Sequence, residues 1–139
     1  MNTESRLQEG ISLHQEGKLD QAELIYQQIL QVNPKNAEVL HLLGMIAYQV
    51  EKYDLAINLI NQAIEIDNRQ PVFFKSLGCI LQERKKLREA IRAYQEAIEL
   101  DPADSKIHKN LGDALKQQGE LELAIDAYNK AIEFNPHNA

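Results

Sequence analysis

The sequence predicts an all-α protein assembled from repeated helical hairpins, and three observations carry that prediction. One phrase recurs four times, as KLDQAELIYQQILQVNP at 18–34, KYDLAINLINQAIEIDN at 52–68, KLREAIRAYQEAIELDP at 86–102 and GELELAIDAYNKAIEFNP at 119–136. Glycine stands at 10, 44, 78 and 112, and alanine at 22, 56, 90 and 124, each series stepping by 34 residues. Within each copy the apolar residues recur at intervals of three and four, which gathers them on one side of an α-helix. Internal repetition at such a period decides the fold before any local assignment is made.

Counting back from Pro34, the units run 3–36, 37–70, 71–104 and 105–138, with two residues leading and one trailing. Together they form a single domain over 3–138. Each unit reads as two amphipathic helices joined by a short turn. In the third unit these are predicted at about 71–84 and 87–100, and Leu87, Ala90, Ile91, Tyr94, Ala97, Ile98 and Leu100 make the buried stripe of the second. Arg88, Arg92, Gln95 and Glu96 take its wet side. Asp101-Pro102 ends it, because proline disfavours helical geometry in the residue before it. Asn33-Pro34 and Asn135-Pro136 end units one and four in the same way, whereas unit two has Asp67-Asn68 and relies on Pro71 to open the next helix at its first turn. The glycine and alanine series mark where the two helices of one unit cross, since a larger side chain would hold their backbones apart. Between the helices, Gly17 and Gly119 give way to Glu51 and Lys85. A turn requiring positive φ would cost those two units up to roughly 1–2 kcal/mol per residue.

Bulk composition narrows the function classes. At 139 residues with 44% hydrophobic content the chain has enough apolar material to fold as one ordinary domain. Asp and Glu outnumber Lys and Arg by 21 to 15, a surface that repels nucleic-acid phosphates on average. No apolar run approaches the roughly 20 residues that cross a bilayer, and the opening MNTESRLQEG carries no secretory pattern. A cytoplasmic protein is therefore expected. The single cysteine, Cys79, cannot form an internal disulfide, which fits a reducing compartment.

The frame resembles the tetratricopeptide repeat over essentially the whole chain. The pattern of a large residue, Leu-Gly, a third large residue, then Ala, an aromatic, Ala and Pro is met by Phe74, Leu77-Gly78, Leu81, Ala90, Tyr94, Ala97 and Pro102. Unit four meets it with His108, Leu111-Gly112, Leu115, Ala124, Tyr128, Ala131 and Pro136. Unit two departs with Ile60 in place of the aromatic, and unit one with Arg6 and Glu9 in place of large apolar residues and Ile29 in place of alanine. Polar residues on the first helix read as an end cap. Phrases such as LHQEGKLDQAELIYQQIL and VLHLLGMIAYQ also look like the leading repeats of bacterial proteins that join such an array to a glycosyltransferase-like domain.

The resemblance implies a right-handed superhelical α-solenoid whose first helices line a concave groove that binds a peptide or partner segment. Carried over place by place, the groove takes Leu7, Ile11 and His14 from unit one and His41, Leu42, Met45 and Tyr48 from unit two. Lys75, Cys79 and Gln82 come from unit three, and Lys106, Lys109, Asn110, Asp113 and Lys116 from unit four. The first half is apolar with histidines and the second is rich in lysine, which suits a protein ligand with an apolar anchor at one end and acidic residues at the other. The opposing reading is that the apolar members pack between neighbouring helices and the lysines form a solvated face. On the last helix, Leu121, Ile125, Tyr128 and Ile132 lack a following unit, so end-to-end self-association through that face is a second expectation.

No catalytic chemistry is legible. His14, His41, His108 and His137 lack metal-ligand spacing, Cys79 has no CxxC partner, and each glycine discussed is isolated rather than part of a phosphate loop. The recurring Tyr26, Tyr94 and Tyr128 read as core packing. No cofactor, metal or enzymatic activity is expected, and the sequence points to a protein-interaction scaffold. The runner-up is the substrate-selecting arm of a larger enzyme.

Overall fold

A computed structural model describes residues 2–138. Its helices are α1 (Thr3–Gln15), α2 (Leu19–Val32), α3 (Ala37–Gln49), α4 (Tyr53–Ile66), α5 (Pro71–Glu83), α6 (Leu87–Leu100), α7 (Ser105–Gln118) and α8 (Leu121–Phe134), followed by a 3-10 turn at Pro136–Asn138. There is no strand among the described residues. Both the odd-numbered and the even-numbered helices begin 34 residues apart, the step at which the phrase recurs in the sequence. No helix among the described residues is long and apolar enough to cross a membrane.

Local chemistry sets the helix ends. Asn2, Asn36 and Asp104 precede the first helices of their units, and each side-chain oxygen accepts a hydrogen bond from a backbone N–H of the first turn, at 2.7, 3.1 and 2.9 Å. At α5 the capping residue is Gln70, which makes no such bond, and Pro71 occupies the first turn, where its missing N–H costs nothing. The second helices have no side-chain caps. Their entry is fixed instead by the preceding turn, where the N–H groups of Lys18, Lys52, Lys86 and Glu120 reach back five residues to the carbonyls of Leu13, Ala47, Leu81 and Leu115. That is the Schellman closure, and it requires a left-handed residue just before. Gly17 (φ 80°), Glu51 (φ 63°), Lys85 (φ 61°) and Gly119 (φ 89°) all supply it. The turn is thus built alike in all four units, and two of them hold a side chain where glycine is preferred.

Packing inside each hairpin repeats as well. A Cβ added at Gly10, Gly78 or Gly112 would meet the ring of Tyr26, Tyr94 or Tyr128 at 2.7, 2.5 and 2.6 Å, and one added at Gly44 would meet Ile60 at 2.8 Å. The glycine of the first helix is therefore the seat for the large residue of the second. Tyr26, Ile60 and Tyr94 are fully buried there, with Ala22, Ala56 and Ala90 beside them.

The chain divides into two compact units, Met1–Asn68 and Arg69–Ala139. In the first, α1 packs on α2, α2 on α3 and α3 on α4. Its core joins Ala22, Ile25, Tyr26, Ile29, Val39, Leu43 and Ile46, with Leu7, Leu13, Leu19, Leu30, Leu42 and Leu59 packed around them. In the second, α5 packs on α6, α6 on α7 and α7 on α8, and the buried residues include Phe73, Ile80, Tyr94, Ile107 and Ala114.

Candidate functional site

In the first unit, α1 and α3 present the residues assigned to a binding surface, but not all of them are free to serve. Leu7 and Leu42 pack against the core, which supports the packing reading for those two. His41 is only 8% exposed, so it is a buried residue rather than a groove contact. Burial disfavours its imidazolium and pushes its pKa down to about 4. His14 ties three helices together. Its Nε2 lies 2.6 Å from Gln49 Oε1 and its Nδ1 lies 3.5 Å from the Tyr26 hydroxyl. Because the amide oxygen only accepts, Nε2 carries the proton and Nδ1 is left to accept from Tyr26. Ile11, Met45 and Tyr48 are half-buried, and none belongs to the buried core.

In the second unit the tyrosine hydroxyls again find partners on the first helices. Tyr94 donates to Gln82 at 2.8 Å, and its oxygen lies 3.4 Å from Cys79 Sγ. Asn110 donates to the same sulfur at 3.6 Å. Tyr128 donates to Asp113 at 2.5 Å, and burial together with that carboxylate pushes its pKa up to about 12. Cys79, Gln82, Asn110 and Asp113 are thus held by the fold as well as half-exposed. Lys75 is half-buried, and Lys106, Lys109 and Lys116 are exposed. The sequence reading missed this division of labour, although its signal is in the repeat. Each unit with tyrosine at that core place carries a polar partner on its first helix, whereas unit two, with Ile60, carries Met45 and Tyr48 at the partner places.

Two hollows among the described residues bear on these side chains. The first, about 290 Å³, is lined by Ser105, Lys106 and Lys109 of α7 with Tyr128, Ala131 and Ile132 of α8 and Asn135. Lys106 and Lys109, read from the sequence as groove residues, are thereby grouped with two of the residues assigned to the last helix's outer face. The second, about 320 Å³, lies between α2, α3 and α4 in the first unit, with Leu43, Ile46, Val50, Leu55 and Leu59 on its apolar side and Asp20, Glu23 and Lys52 among its polar lining. Its residues come from three helices of two successive 34-residue repeats, which no single repeat reveals.

The face of α8 is open. Leu121, Ile125 and Ile132 are 59%, 57% and 45% exposed and Tyr128 is half-buried, whereas Ile91 and Tyr94, at the matching places of α6, are 9% and 0% exposed. Among the described residues no group of three or more His, Cys, Asp or Glu is placed to hold a metal ion.

A family model of the tetratricopeptide repeat matches residues 13–75, and a second of the same description matches residues 76–139. The chain belongs to the tetratricopeptide repeat family, a class of protein-interaction modules. No curated protein matches it in sequence. Among solved structures it is similar to a crystal structure of MamA, at a TM-score of 0.90 and 21% identity over 99% of this chain and 80% of that one. A second MamA structure, MSR-1 in form C2, shares 28% identity at a TM-score of 0.81 over 100% of this chain and 80% of that one. MamA 41-end from Desulfovibrio magneticus RS-1 shares 22% identity at a TM-score of 0.87, over 97% and 76% of the two chains.

Proposed function

We propose that the chain is a non-catalytic interaction module that holds an extended peptide or partner segment along its first helices, in a soluble, cytoplasmic setting. The observation that carries this reading is the state of Ile11, Met45 and Tyr48, which remain half-exposed on α1 and α3 and stand outside the buried core of their unit. Such residues supply an apolar anchor in the first unit, and within the second unit Lys75 and Lys116, on α5 and α7, supply charge for acidic residues of a protein ligand. One exposed lysine contact contributes only about 0–1 kcal/mol, so affinity rests on several acting together. Lys109 lines the hollow beside α8.

A pull-down with mass spectrometry identifies the partner, and calorimetry with that purified partner tests the site. Lys75→Glu combined with Lys116→Glu is expected to weaken binding and flatten its salt dependence while helicity stays unchanged. Identical affinity and salt slope would remove the acidic half of the reading. Self-association through α8 is the competing use of the molecule, and light scattering over a concentration series decides it, since a strictly monomeric chain removes it. The same surfaces would also serve the arm of a larger enzyme, a reading that a catalytic domain encoded after Ala139 would carry.

A further inference from the structure

The hollow between α2, α3 and α4 is walled by helices that have further helices of the chain before and after them. Its α3 wall is the stripe Leu43, Ile46 and Val50, which lies about half a turn round that helix from Met45 and Tyr48. The hollow therefore shares no residue with the first-helix surface of the proposed function and does not depend on it. Val50 and, on α4, Leu55 are 47% and 48% exposed there. On the α2 wall stand Asp20, exposed, and Glu23, half-buried. Among the described residues neither carboxylate meets a cation within ion-pair distance. At about 320 Å³ the hollow is at the small end of the roughly 300–1,000 Å³ of ligand clefts, which suits one or two side chains of a partner.

This lining belongs to the first unit rather than to the repeat. Sixty-eight residues on, the matching places hold Arg88 for Asp20, Ile91 for Glu23 and Gln118 for Val50. Ile91 is 9% exposed, so an apolar side chain packs where Glu23 presents its carboxylate. The repeat thus has no need of an acid at that place, and a half-buried carboxylate without a counter-charge gives up hydration with nothing in the chain to compensate. The wider surroundings are acidic as well. Residues 1–68 hold four Lys and Arg against ten Asp and Glu, and residues 69–139 hold eleven of each, so the whole formal charge of −6 falls on the first unit. Lys52, on the α4 side of the hollow, has Glu51 just before it and Asp54 two residues on.

We propose that this hollow is a docking site for a basic segment of a protein partner, one that carries an arginine or lysine within one helical turn of a large apolar side chain. The apolar side chain seats against Val50 and Leu55, and the cation meets Glu23 and Asp20 on the facing wall. A second copy of the chain is a poor source of that segment. Its densest run of cations is Arg84, Lys85, Lys86, Arg88 and Arg92, but the large apolar residues among them, Leu87 and Ile91, are half-buried and buried in their own unit. That run therefore offers charge without a free apolar side chain.

The test titrates the whole isotope-labelled chain by NMR with blocked tetrapeptides that carry leucine and arginine one, two or three residues apart on an alanine background. Each has one counterpart with glutamine for the arginine and another with alanine for the leucine. The amide signals of Glu23, Val50 and Leu55 are expected to shift and saturate with at least one peptide bearing both residues, at an affinity roughly two- to fivefold above either counterpart. Glu23→Gln should remove the advantage of arginine over glutamine. Asp20→Arg with Glu23→Ile and Val50→Gln, which writes the second unit's residues into the hollow, should abolish the shifts. Glu65→Gln, at an exposed acid elsewhere on α4, should leave the affinities unchanged. Unmoved signals at those three amides, equal affinity for the arginine and glutamine peptides, or shifts that persist in the triple variant would overturn the proposal. So would a concentration-dependent dimer in sedimentation that the triple variant disperses, since the hollow would then belong to a second copy.

Discussion

At the scale of single residues, the hairpin depends on hydrogen atoms where other residues carry a methyl. A methyl at Gly78 would press on the flat, fully buried ring of Tyr94, whose hydroxyl is tethered to Gln82, so the ring has little room to retreat. At Gly44 the nearest atom is the Cγ1 of Ile60, an aliphatic branch that adjusts more readily. Overpacking costs about 1–3 kcal/mol and the better helix propensity of alanine returns up to about 1. Gly78→Ala is therefore expected to lower stability by about 1–2 kcal/mol in urea titration, and Gly44→Ala by less than about 1 kcal/mol. The turns work in the opposite sense. Glu51 and Lys85 stand at φ 63° and 61°, where a side chain costs about 1–2 kcal/mol. Glu51→Gly or Lys85→Gly relieves that strain but adds freedom to the unfolded chain, leaving an expected net gain of about 0.5–1 kcal/mol, readable as a higher urea midpoint.

His41 adds a pH dependence at the same scale. Its folded pKa of about 4 lies below the ordinary 6.5, so between those values the unfolded chain takes up a proton that the folded chain refuses. The contribution is fully present above pH 6.5 and is lost as pH falls toward 4, with a slope of up to about 1.4 kcal/mol per pH unit. His41→Leu should flatten the stability profile across that window relative to the native chain, and an unchanged slope would show that other groups govern it.

At the scale of elements, the same residue type has different consequences in two copies of one helix. Ile91 on α6 is 9% exposed beside α7, and Ile125 at the same place on α8 is 57% exposed. Removing a buried isoleucine side chain costs about 2–5 kcal/mol, while an exposed one has little burial to lose. Ile91→Ala is expected to cost at least about 2 kcal/mol and Ile125→Ala less than about 0.5 kcal/mol in thermal or urea unfolding. Comparable losses would mean that α8 is covered in solution. The helix boundaries of this contrast were legible in the sequence, because a strict repeat with Asn-Pro and Asp-Pro stops leaves little freedom in where helices begin and end. Only the detail shifted: α5 was expected to reach residue 84 and ends at Glu83, with Arg84 as its cap.

At the scale of the whole molecule, the repeat made the all-α architecture readable but left the binding surfaces less so. Periodicity says which side of a helix is apolar, and it does not say which apolar side chain meets a neighbour and which meets water. His41 looked like a surface histidine and is buried, Leu42 looked like a ligand contact and packs on the core, and Lys109 turned toward a hollow formed with α8. The hollow between α2, α3 and α4 was invisible because it is a property of three helices together. In the first unit Ile11, Met45 and Tyr48 are half-buried, and in the second Lys75 is half-buried and Lys116 exposed; that they bind the partner is our proposal.

The most direct test of that account is the affinity of the captured partner, purified and titrated calorimetrically against a chain carrying Ile11→Glu and Met45→Glu, with helicity checked by circular dichroism. Placing two carboxylates in an apolar contact is expected to weaken binding by at least about tenfold, some 1.4 kcal/mol, at unchanged helicity. Native affinity in that variant would contradict a binding surface on the first helices.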